Sequence, residues 1–314
     1  MHSILSILSL STRKTILITG CDTYPGYSIA LELLRHKGKT FSDVYLTYYK
    51  ETQLIHLLKQ KGAHAIRLAA SDRSAIVSAY HKADIVVVVP PVSDEQFMHG
   101  GTEVFVDAAG EANVSGLVVC TKLNIEQLAE LPALKPIKAY EDAYERTKGK
   151  VKYASLVRCP LHLDMLWLVR QQIAVEHKLR LPVDPQAKFT AIIEADGARA
   201  LYNILVDEKF KPGTYELTGS EVLTFSHVAR AASEVFGRAI EYAKVGKQEL
   251  IEYLSKRSEV SENEAIFVVD MLEAVSRGYL SAKNNTLKDM LGKDPMDFVS
   301  YLEHNAKDFR PKTK

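Results

Sequence analysis

Two glycines follow the first strongly apolar segment of this 314-residue chain. Residues 15–19 are long enough for one buried strand, and Gly20 and Gly26 lie between that run and an apolar-periodic helix. A strand, a glycine turn and a helix form a diphosphate site, because the unpaired amides and partial positive charge of the helix N-terminus point at the anion. The loop therefore predicts a dinucleotide site. Its candidate binding residues are Gly20, Cys21, Asp22, Thr23, Tyr24 and Gly26.

Thr23 stands where such loops usually carry a middle glycine. That glycine lets the backbone approach the phosphates closely. A bound dinucleotide must tolerate a methyl and a hydroxyl group at this point, so the loop predicts a weakened site.

The residues after the second predicted strand, within "LTYYKET", would choose the coenzyme. No Asp or Glu ends that strand, so the carboxylate that holds the ribose of NAD is missing from it. Lys50 could meet a 2′-phosphate as a point charge, and Tyr48 or Tyr49 could stack on adenine. NADP(H) is therefore predicted over NAD(H), with Pro90 after the fourth strand in the same crevice. The alternative, that residues 48–50 are a solvated strand end and no dinucleotide binds, stays open.

The elements that must position this site alternate along the first half of the chain. Apolar runs at residues 44–47, 65–69, 85–89, 116–120 and 153–157 are each preceded by helix-period sequence,. Runs such as "DIVVVVPP" lack polar alternation, as expected for strands buried on both faces of a parallel sheet. The pattern predicts an α/β fold with a doubly wound parallel Rossmann sheet over residues 14–158. Residues 159–314 are predicted to form a smaller, mainly helical lobe that binds substrate or partner, with a helix over residues 163–176 and a short strand in "GTYELTG". Residues 1–13 are predicted to be a disordered leader.

Composition limits the function classes. Forty basic and thirty-nine acidic residues give a net charge of +1, so nothing favours direct nucleic-acid binding,. No apolar stretch reaches the roughly twenty residues of a membrane span. Three widely spaced cysteines and ten scattered histidines predict neither disulfides nor a metal site,. We expect a soluble cytoplasmic protein, with nuclear access and organelle import left open by the Ser-rich start of the chain.

Taken in order, the segments resemble one family over nearly the whole chain. "ILITGCDTYPG" is similar to its TGATGxxG loop, and "FVDAAGEANVSGLVVCT" and "YASLVRCP" are similar to its later helix and strands. The chain thus resembles the NmrA-like family of atypical short-chain dehydrogenases, which includes regulators as well as quinone and isoflavone-type reductases. The resemblance implies a Rossmann fold and an NAD(P) coenzyme. Ala70 replaces the acidic residue that approaches adenine in relatives.

Hydride-transferring members of the wider superfamily use a Tyr acid, a Lys four residues later and a Ser or Thr hydroxyl. "YERTK" offers Tyr144 and Lys148 on one helix face, and Thr121 ends the fifth strand,. Counting back from "LVRCP" instead puts the lysine position of the family at Tyr140. These four residues are the candidate catalytic groups, although the short pattern at a helix end also fits a surface coincidence.

Three functions follow from the resemblance. The first is an NADP(H)-binding regulator or redox sensor that acts on a protein partner without full dehydrogenase catalysis. The second is an NADPH-dependent reductase of a small carbonyl or quinone ligand, and the third an interaction module that no longer binds coenzyme. Cys21, Cys120 and Cys159 each follow a different strand, so they could sense oxidants beside the nucleotide or merely fill buried positions.

Overall fold

A computed structural model describes residues 13–256 and 260–309. The predicted leader, apart from residue 13, lies outside these residues. The chain divides into two compact units. The first extends to Cys159 and also includes Gly197–Glu216, and the second comprises Pro160–Asp196 and the chain from Leu217 onward.

The described strands run from the start of the first unit well into the second. They are β1 (Lys14–Ile18), β2 (Phe41–Tyr48), β3 (His64–Arg67), β4 (Ile85–Val88), β5 (Gly116–Lys122), β6 (Tyr153–Cys159), β7 (Leu161–His162), β8 (Lys178–Leu181), β9 (Lys188–Ile192), β10 (Thr214–Glu216), β11 (Val222–Thr224) and β12 (Glu241–Lys244).

The α-helices alternate with the first strands and then dominate the end of the chain. They are α1 (Tyr24–Leu34), α2 (Gln53–Gln60), α3 (Arg73–Tyr80), α4 (Val104–Glu111), α5 (Ile125–Leu128), α6 (Lys135–Thr147), α7 (Glu194–Val206), α8 (Phe225–Phe236), α9 (Lys247–Ser255), α10 (Glu262–Ser276), α11 (Thr286–Leu291) and α12 (Phe298–His304).

A seven-stranded parallel sheet forms the centre of the first unit, in the order β10-β6-β5-β4-β1-β2-β3. Ile16 of β1 lies between Val44 of β2 and Ile85 of β4. All of β4 is buried, as its uninterrupted apolar sequence predicts for a strand covered on both faces,. Because these strands are parallel, the carboxyl ends of β1, β2 and β4 lie at one edge of the sheet, and the strand order reverses direction between β1 and β4. Ligands of such sheets bind there.

The predicted fold class is confirmed, and all six predicted strands of the first unit are present. Asp72 caps α3, since its carboxylate accepts from the amide of Ala75 at 2.9 Å,. The helix after β1 begins at Tyr24, and Pro25 fits the first turn of this helix,.

The second unit contains two small sheets and most of the later helices. β11, β9 and β7 form a three-stranded sheet, and β12 and β8 a two-stranded one. Ser261 and Glu264 form a capping box at the start of α10,. Gly237 ends α8 in the left-handed region at φ 64°, which only glycine adopts easily,.

Two expectations about the second lobe need correction. The strand in "GTYELTG", which the sequence placed in the lobe, is β10 and pairs in parallel with β6 of the main sheet, with Thr214 opposite Leu156. The segment Gly197–Glu216 therefore returns to the first unit, so residues 159–314 are not one continuous lobe. The helix expected over residues 163–176 is a 3₁₀ segment, Leu163–Val169, followed by a π-helical segment, Gln172–Glu176.

Candidate functional site

The turn after β1 requires both of its glycines. Gly20 has φ 63°, and a Cβ there would lie 2.8 Å from the carbonyl oxygen of Val89. A Cβ on Gly26 would lie 2.2 Å from the carbonyl oxygen of Gly20. Pro90 borders the same turn, since its carbonyl oxygen would lie 3.4 Å from a Cβ on Gly20. The close approach of helix to strand, which the outer glycines of a dinucleotide loop provide, is thus retained.

Thr23 folds its side chain back onto the loop. Its Oγ1 donates to the carbonyl oxygen of Gly20 at 2.9 Å, and its amide donates to the same oxygen at 3.3 Å. Tyr24 begins α1 and is 40% exposed. The hydroxyl that the sequence identified as an obstacle therefore has a partner inside the turn.

Asp22 connects the turn to the ends of two other strands. Its Oδ2 accepts from the amides of Tyr49 at 3.2 Å and Lys50 at 2.8 Å, directly after β2. The same oxygen accepts from Ser93 Oγ at 2.6 Å, in the loop after β4. The side chain is buried, with 5% exposed, and among the residues that the structure describes its Oδ1 has no hydrogen-bond partner.

The electrostatics of this carboxylate follow from its burial. Desolvation raises the pKa of Asp22, and the hydrogen bonds from Ser93, Lys50 and Tyr49 work in the opposite direction by favouring the charged form,. Asp22 also contributes to raising the pKa of the neighbouring Cys21 thiol, after the larger effect of complete burial. Cys21 is therefore a protonated, buried thiol, and its amide donates to the carbonyl oxygen of Thr47 at 3.0 Å,.

A second buried acid lies one residue beyond Ser93. Asp94 Oδ2 accepts from the amide of Ala70 at 2.9 Å, and Oδ1 accepts from the amide of Gln96 at 2.9 Å. Ala70 is the residue at which the family resemblance implied an adenine-side acid. Asp94 thus places a carboxylate against that position from another loop.

The three residues after β2 differ in their surroundings. Tyr48 is buried, with Lys59 Nζ 5.1 Å from its ring centroid, and burial raises the pKa of its phenol. Tyr49 is half-buried and its carbonyl oxygen accepts from Arg67 Nε at 3.1 Å. Lys50 is exposed. Tyr49 and Lys50 enter the site mainly through their amides, both of which Asp22 binds.

The candidate proton donor Tyr144 lies inside the first unit. Its hydroxyl donates to the carbonyl oxygen of Ala154 at 3.3 Å, and only 4% of the residue is exposed. Burial raises its pKa to about 12, which is unsuited to proton donation near neutral pH. Lys148 follows the end of α6, forms an ion pair with Glu145 at 2.6 Å, and its Nζ lies 5.9 Å from the Tyr144 ring centroid.

The other two candidate catalytic residues, Tyr140 and Thr121, are also buried. Tyr140 is wholly buried, and burial raises the pKa of its phenol. Thr121 Oγ1 donates to Glu141 Oε1 at 2.7 Å. Arg158 holds the same carboxylate through Nε at 2.9 Å and Nη2 at 2.6 Å. The hydroxyl of Thr121 thus belongs to a buried ion-pair network.

The other two cysteines lie close to each other in the main sheet. Cys120 and Cys159 lie on neighbouring strands, and burial, followed by the charge of Cys159, raises the pKa of the Cys120 thiol. Within residues 13–256 and 260–309, no cluster of His, Cys, Asp or Glu side chains could hold a metal ion. None of the helices described has both the length and the apolar character needed to cross a membrane.

Sequence reasoning named Asp22 only as a loop residue and missed Ser93 and Asp94. The signal was present, because both residues follow the buried strand β4, and strand ends converge at one edge of a parallel sheet. What the sequence could not give was the direction of the Asp22 side chain across the turn.

These features define the class of protein. A doubly wound parallel sheet with a strand, a glycine turn and a helix at its first strand is the Rossmann fold of NAD(P)-binding proteins. The chain belongs to the NmrA-like family, whose model matches residues 12–276.

Sequence identity to individual proteins is low. Agroclavine dehydrogenase from Claviceps fusiformis is 28% identical over 118 residues, which cover 38% of this chain and 40% of that protein. The chain thus spans less than half the length of that curated relative.

Two solved structures share the fold over most of both chains. The triphenylmethane reductase of Citrobacter sp. complexed with NADP(H) has a TM-score of 0.75 at 17% identity, covering 92% of this chain and 99% of that one. An NADPH-dependent quinone oxidoreductase from Escherichia coli has a TM-score of 0.72 at 17% identity, covering 92% and 98%.

Proposed function

We propose that this chain is a regulatory member of the NmrA-like family, which binds a nicotinamide dinucleotide as a signal and does not use it as a reductant. The turn from Gly20 to Gly26 supports binding, because its backbone keeps the tight geometry that a diphosphate needs,. The bound form of the similar Citrobacter enzyme supports the same ligand class. The dinucleotide would contact Gly20, Asp22 and Thr23 and the end of β2.

The observation that carries the non-catalytic part is the engagement of the candidate catalytic groups. The hydroxyl of Tyr144 is bonded to the backbone of β6, Lys148 is paired with Glu145, and Thr121 donates to Glu141. General acid catalysis needs a donor within reach of the substrate and with a pKa near the working pH. Tyr144, with a pKa of about 12 and a hydroxyl bonded to the backbone of β6, does not meet the pKa requirement.

Regulation would operate through the connections of Asp22. One side chain joins the glycine turn, the residues after β2 and the loop after β4. A ligand that contacts this carboxylate changes the environment of all three segments together, and a partner that binds one state better responds to occupancy. We propose a protein partner in the cytoplasm as the recipient of this signal.

A second candidate function is reduction of a small carbonyl or quinone. It is favoured by the fold shared with the quinone oxidoreductase and the triphenylmethane reductase. When bound, a reduced nicotinamide supplies hydride, and Tyr144 or Tyr140 would have to supply the proton. This function therefore requires one of those phenols to leave its buried position.

Binding and turnover can be tested in one series. The protein is titrated with NADH and with NADPH, and binding is followed by the fluorescence of the reduced nicotinamide. Consumption of the reduced coenzyme is then measured with a panel of quinones and aldehydes. We expect saturable binding and no consumption above the protein-free rate, in both wild type and Tyr144→Phe. Consumption that Tyr144→Phe abolishes would establish the reductase instead. Failure of both coenzymes to bind would leave the interaction module.

A further inference from the structure

We infer that Asp22 is the coenzyme-selecting residue and that it selects NAD(H), the coenzyme with an unphosphorylated ribose. The inference rests on the proposed dinucleotide site. In Rossmann folds a carboxylate near the end of the second strand holds the ribose hydroxyls of NAD. The sequence showed no acid at the end of β2, and this absence was one ground for preferring NADP(H). The structure supplies that carboxylate from the glycine turn instead.

The two oxygens of Asp22 have different roles. Oδ2 is fully used, because it accepts from two amides and from Ser93 Oγ. These three bonds fix the carboxylate against the end of β2. Oδ1 is buried and, within the described part of the chain, lacks a donor. A buried acceptor without a donor is unfavourable unless a ligand supplies one. A ribose hydroxyl is a donor of the required kind, and a dianionic phosphate is not.

Charge reinforces this selection. A 2′-phosphate would add a charge of about −2 beside the Asp22 carboxylate. Among the described residues, this carboxylate accepts from amides and a hydroxyl and forms no ion pair with a cation. Arg67 Nε is directed at the carbonyl oxygen of Tyr49, and Lys50 is an exposed point charge. Like charges a few ångströms apart in a partly dry site repel strongly enough to change affinity by about tenfold or more.

Asp94 provides a matched control in the same group of loops. It is also a buried acid that accepts from backbone amides, but both of its oxygens already have donors. It contacts Ala70, which resembles the adenine-side position of the family. Because both coenzymes carry the same adenine, the charge of Asp94 should affect their affinities equally.

The experiment measures the dissociation constants of NADH and NADPH for wild type, Asp22→Asn and Asp94→Asn. Asn keeps the shape of Asp and an oxygen that can accept from the amides of Tyr49 and Lys50. We expect wild type to prefer NADH by about tenfold or more, and Asp22→Asn to reduce that ratio at least about tenfold. Asp94→Asn should leave the ratio within about twofold of wild type.

Lys50→Ala keeps the inference testable if Asp22→Asn does not fold, because Lys50 is exposed and only its backbone binds Asp22. We expect its preference for NADH over NADPH, measured as the ratio of the two dissociation constants, to stay within about twofold of wild type. A wild-type preference for NADPH, or a loss of NADPH affinity in Lys50→Ala, would overturn the inference. An unchanged ratio in folded Asp22→Asn would overturn it as well.

The outcomes separate this inference from the function beneath it. Binding of both coenzymes with no effect of Asp22 removes the selectivity and keeps the dinucleotide site. No binding of either coenzyme to wild type or to Asp22→Asn removes the proposed function, and the selectivity with it. Binding to Asp22→Asn alone would show that Asp22 excludes both coenzymes, which also contradicts selection.

Discussion

Each of the two units contains a desolvated carboxyl group whose oxygen accepts from a backbone amide, but the surroundings of the two acids differ. In the first unit Asp22 is surrounded by donors, namely two amides and the hydroxyl of Ser93. In the second unit Asp164 accepts from the amide of Glu194 at 2.8 Å, and the carboxylate of Glu194 raises its pKa further. His162 Nδ1 lies 3.5 Å from Glu194 Oε1.

The comparison shows that burial alone does not decide the protonation state of a carboxyl group. Desolvation raises the pKa of both carboxyl groups. At Asp22 the hydrogen bonds oppose this effect, and they fix a carboxylate whose other oxygen has no donor among the described residues. At Asp164 a second negative charge adds to it and brings the pKa to about 6,. We therefore expect Asp22 to recognise a ligand and Asp164 to titrate.

The largest expected effects come from substituting Gly26 in the glycine turn and Gly219, which makes an equally close backbone contact in the second unit. A Cβ on Gly26 would lie 2.2 Å from the carbonyl oxygen of Gly20, and one on Gly219 would lie 2.0 Å from that of Ala191. Because backbone must move in each case, Gly26→Ala and Gly219→Ala should each lower the free energy of unfolding by about 3 kcal/mol. Chemical denaturation measures this loss.

Only Gly26→Ala should also weaken NADH binding, by about tenfold or more, because it displaces the turn that faces the diphosphate. Gly149→Ala is the control, since nothing lies within 4 Å of a Cβ built there. Equal binding by Gly26→Ala and Gly219→Ala, at comparable stability, would argue against the turn as the binding site.

A smaller effect is expected from the acid of the second unit. The folded-state pKa of Asp164 is above its ordinary value, so the folded protein keeps a proton that the unfolded chain releases between about pH 4 and 6,. This group therefore lowers stability as the pH rises through that window. Asp164→Asn should gain about 2 kcal/mol relative to wild type between pH 4 and pH 7.

The measurement is the free energy of unfolding of wild type and Asp164→Asn at both pH values. Asp142→Asn, which replaces an exposed acid on α6 by its amide, serves as the control for this kind of substitution. If the difference between Asp164→Asn and wild type were independent of pH, the carboxyl group would not titrate in this window.

The smallest effect concerns the candidate proton donor. Tyr144→Phe removes one long hydrogen bond to the carbonyl oxygen of Ala154, so we expect a loss of about 1 kcal/mol or less in stability,. The affinity for NADH should not change. A selective loss of coenzyme affinity in this variant, with stability intact, would place Tyr144 in the binding site after all.

The sequence predicted the sheet well because buried parallel strands such as β4 carry uninterrupted apolar residues, and because Gly20 and Gly26 have a steric reason to be glycine. It misplaced β10, since three residues carry no sign of which sheet they will join. It identified the loop residues of the site, but it predicted the preference for NADP(H) over NAD(H) from the residues at the end of β2 alone. The carboxylate at that strand end comes from Asp22, and a contact between residues 27 positions apart depends on the fold.

The amides that Asp22 binds report directly on whether a ribose lies against this carboxylate. In an amide-resolved NMR titration, NADH should shift the signals of Tyr49 and Lys50, because a ribose on Asp22 lies against their N–H groups. The same concentration of NADPH should shift them far less. Equal shifts with NADPH, or no shift with saturating NADH, would show that Asp22 does not select NAD(H).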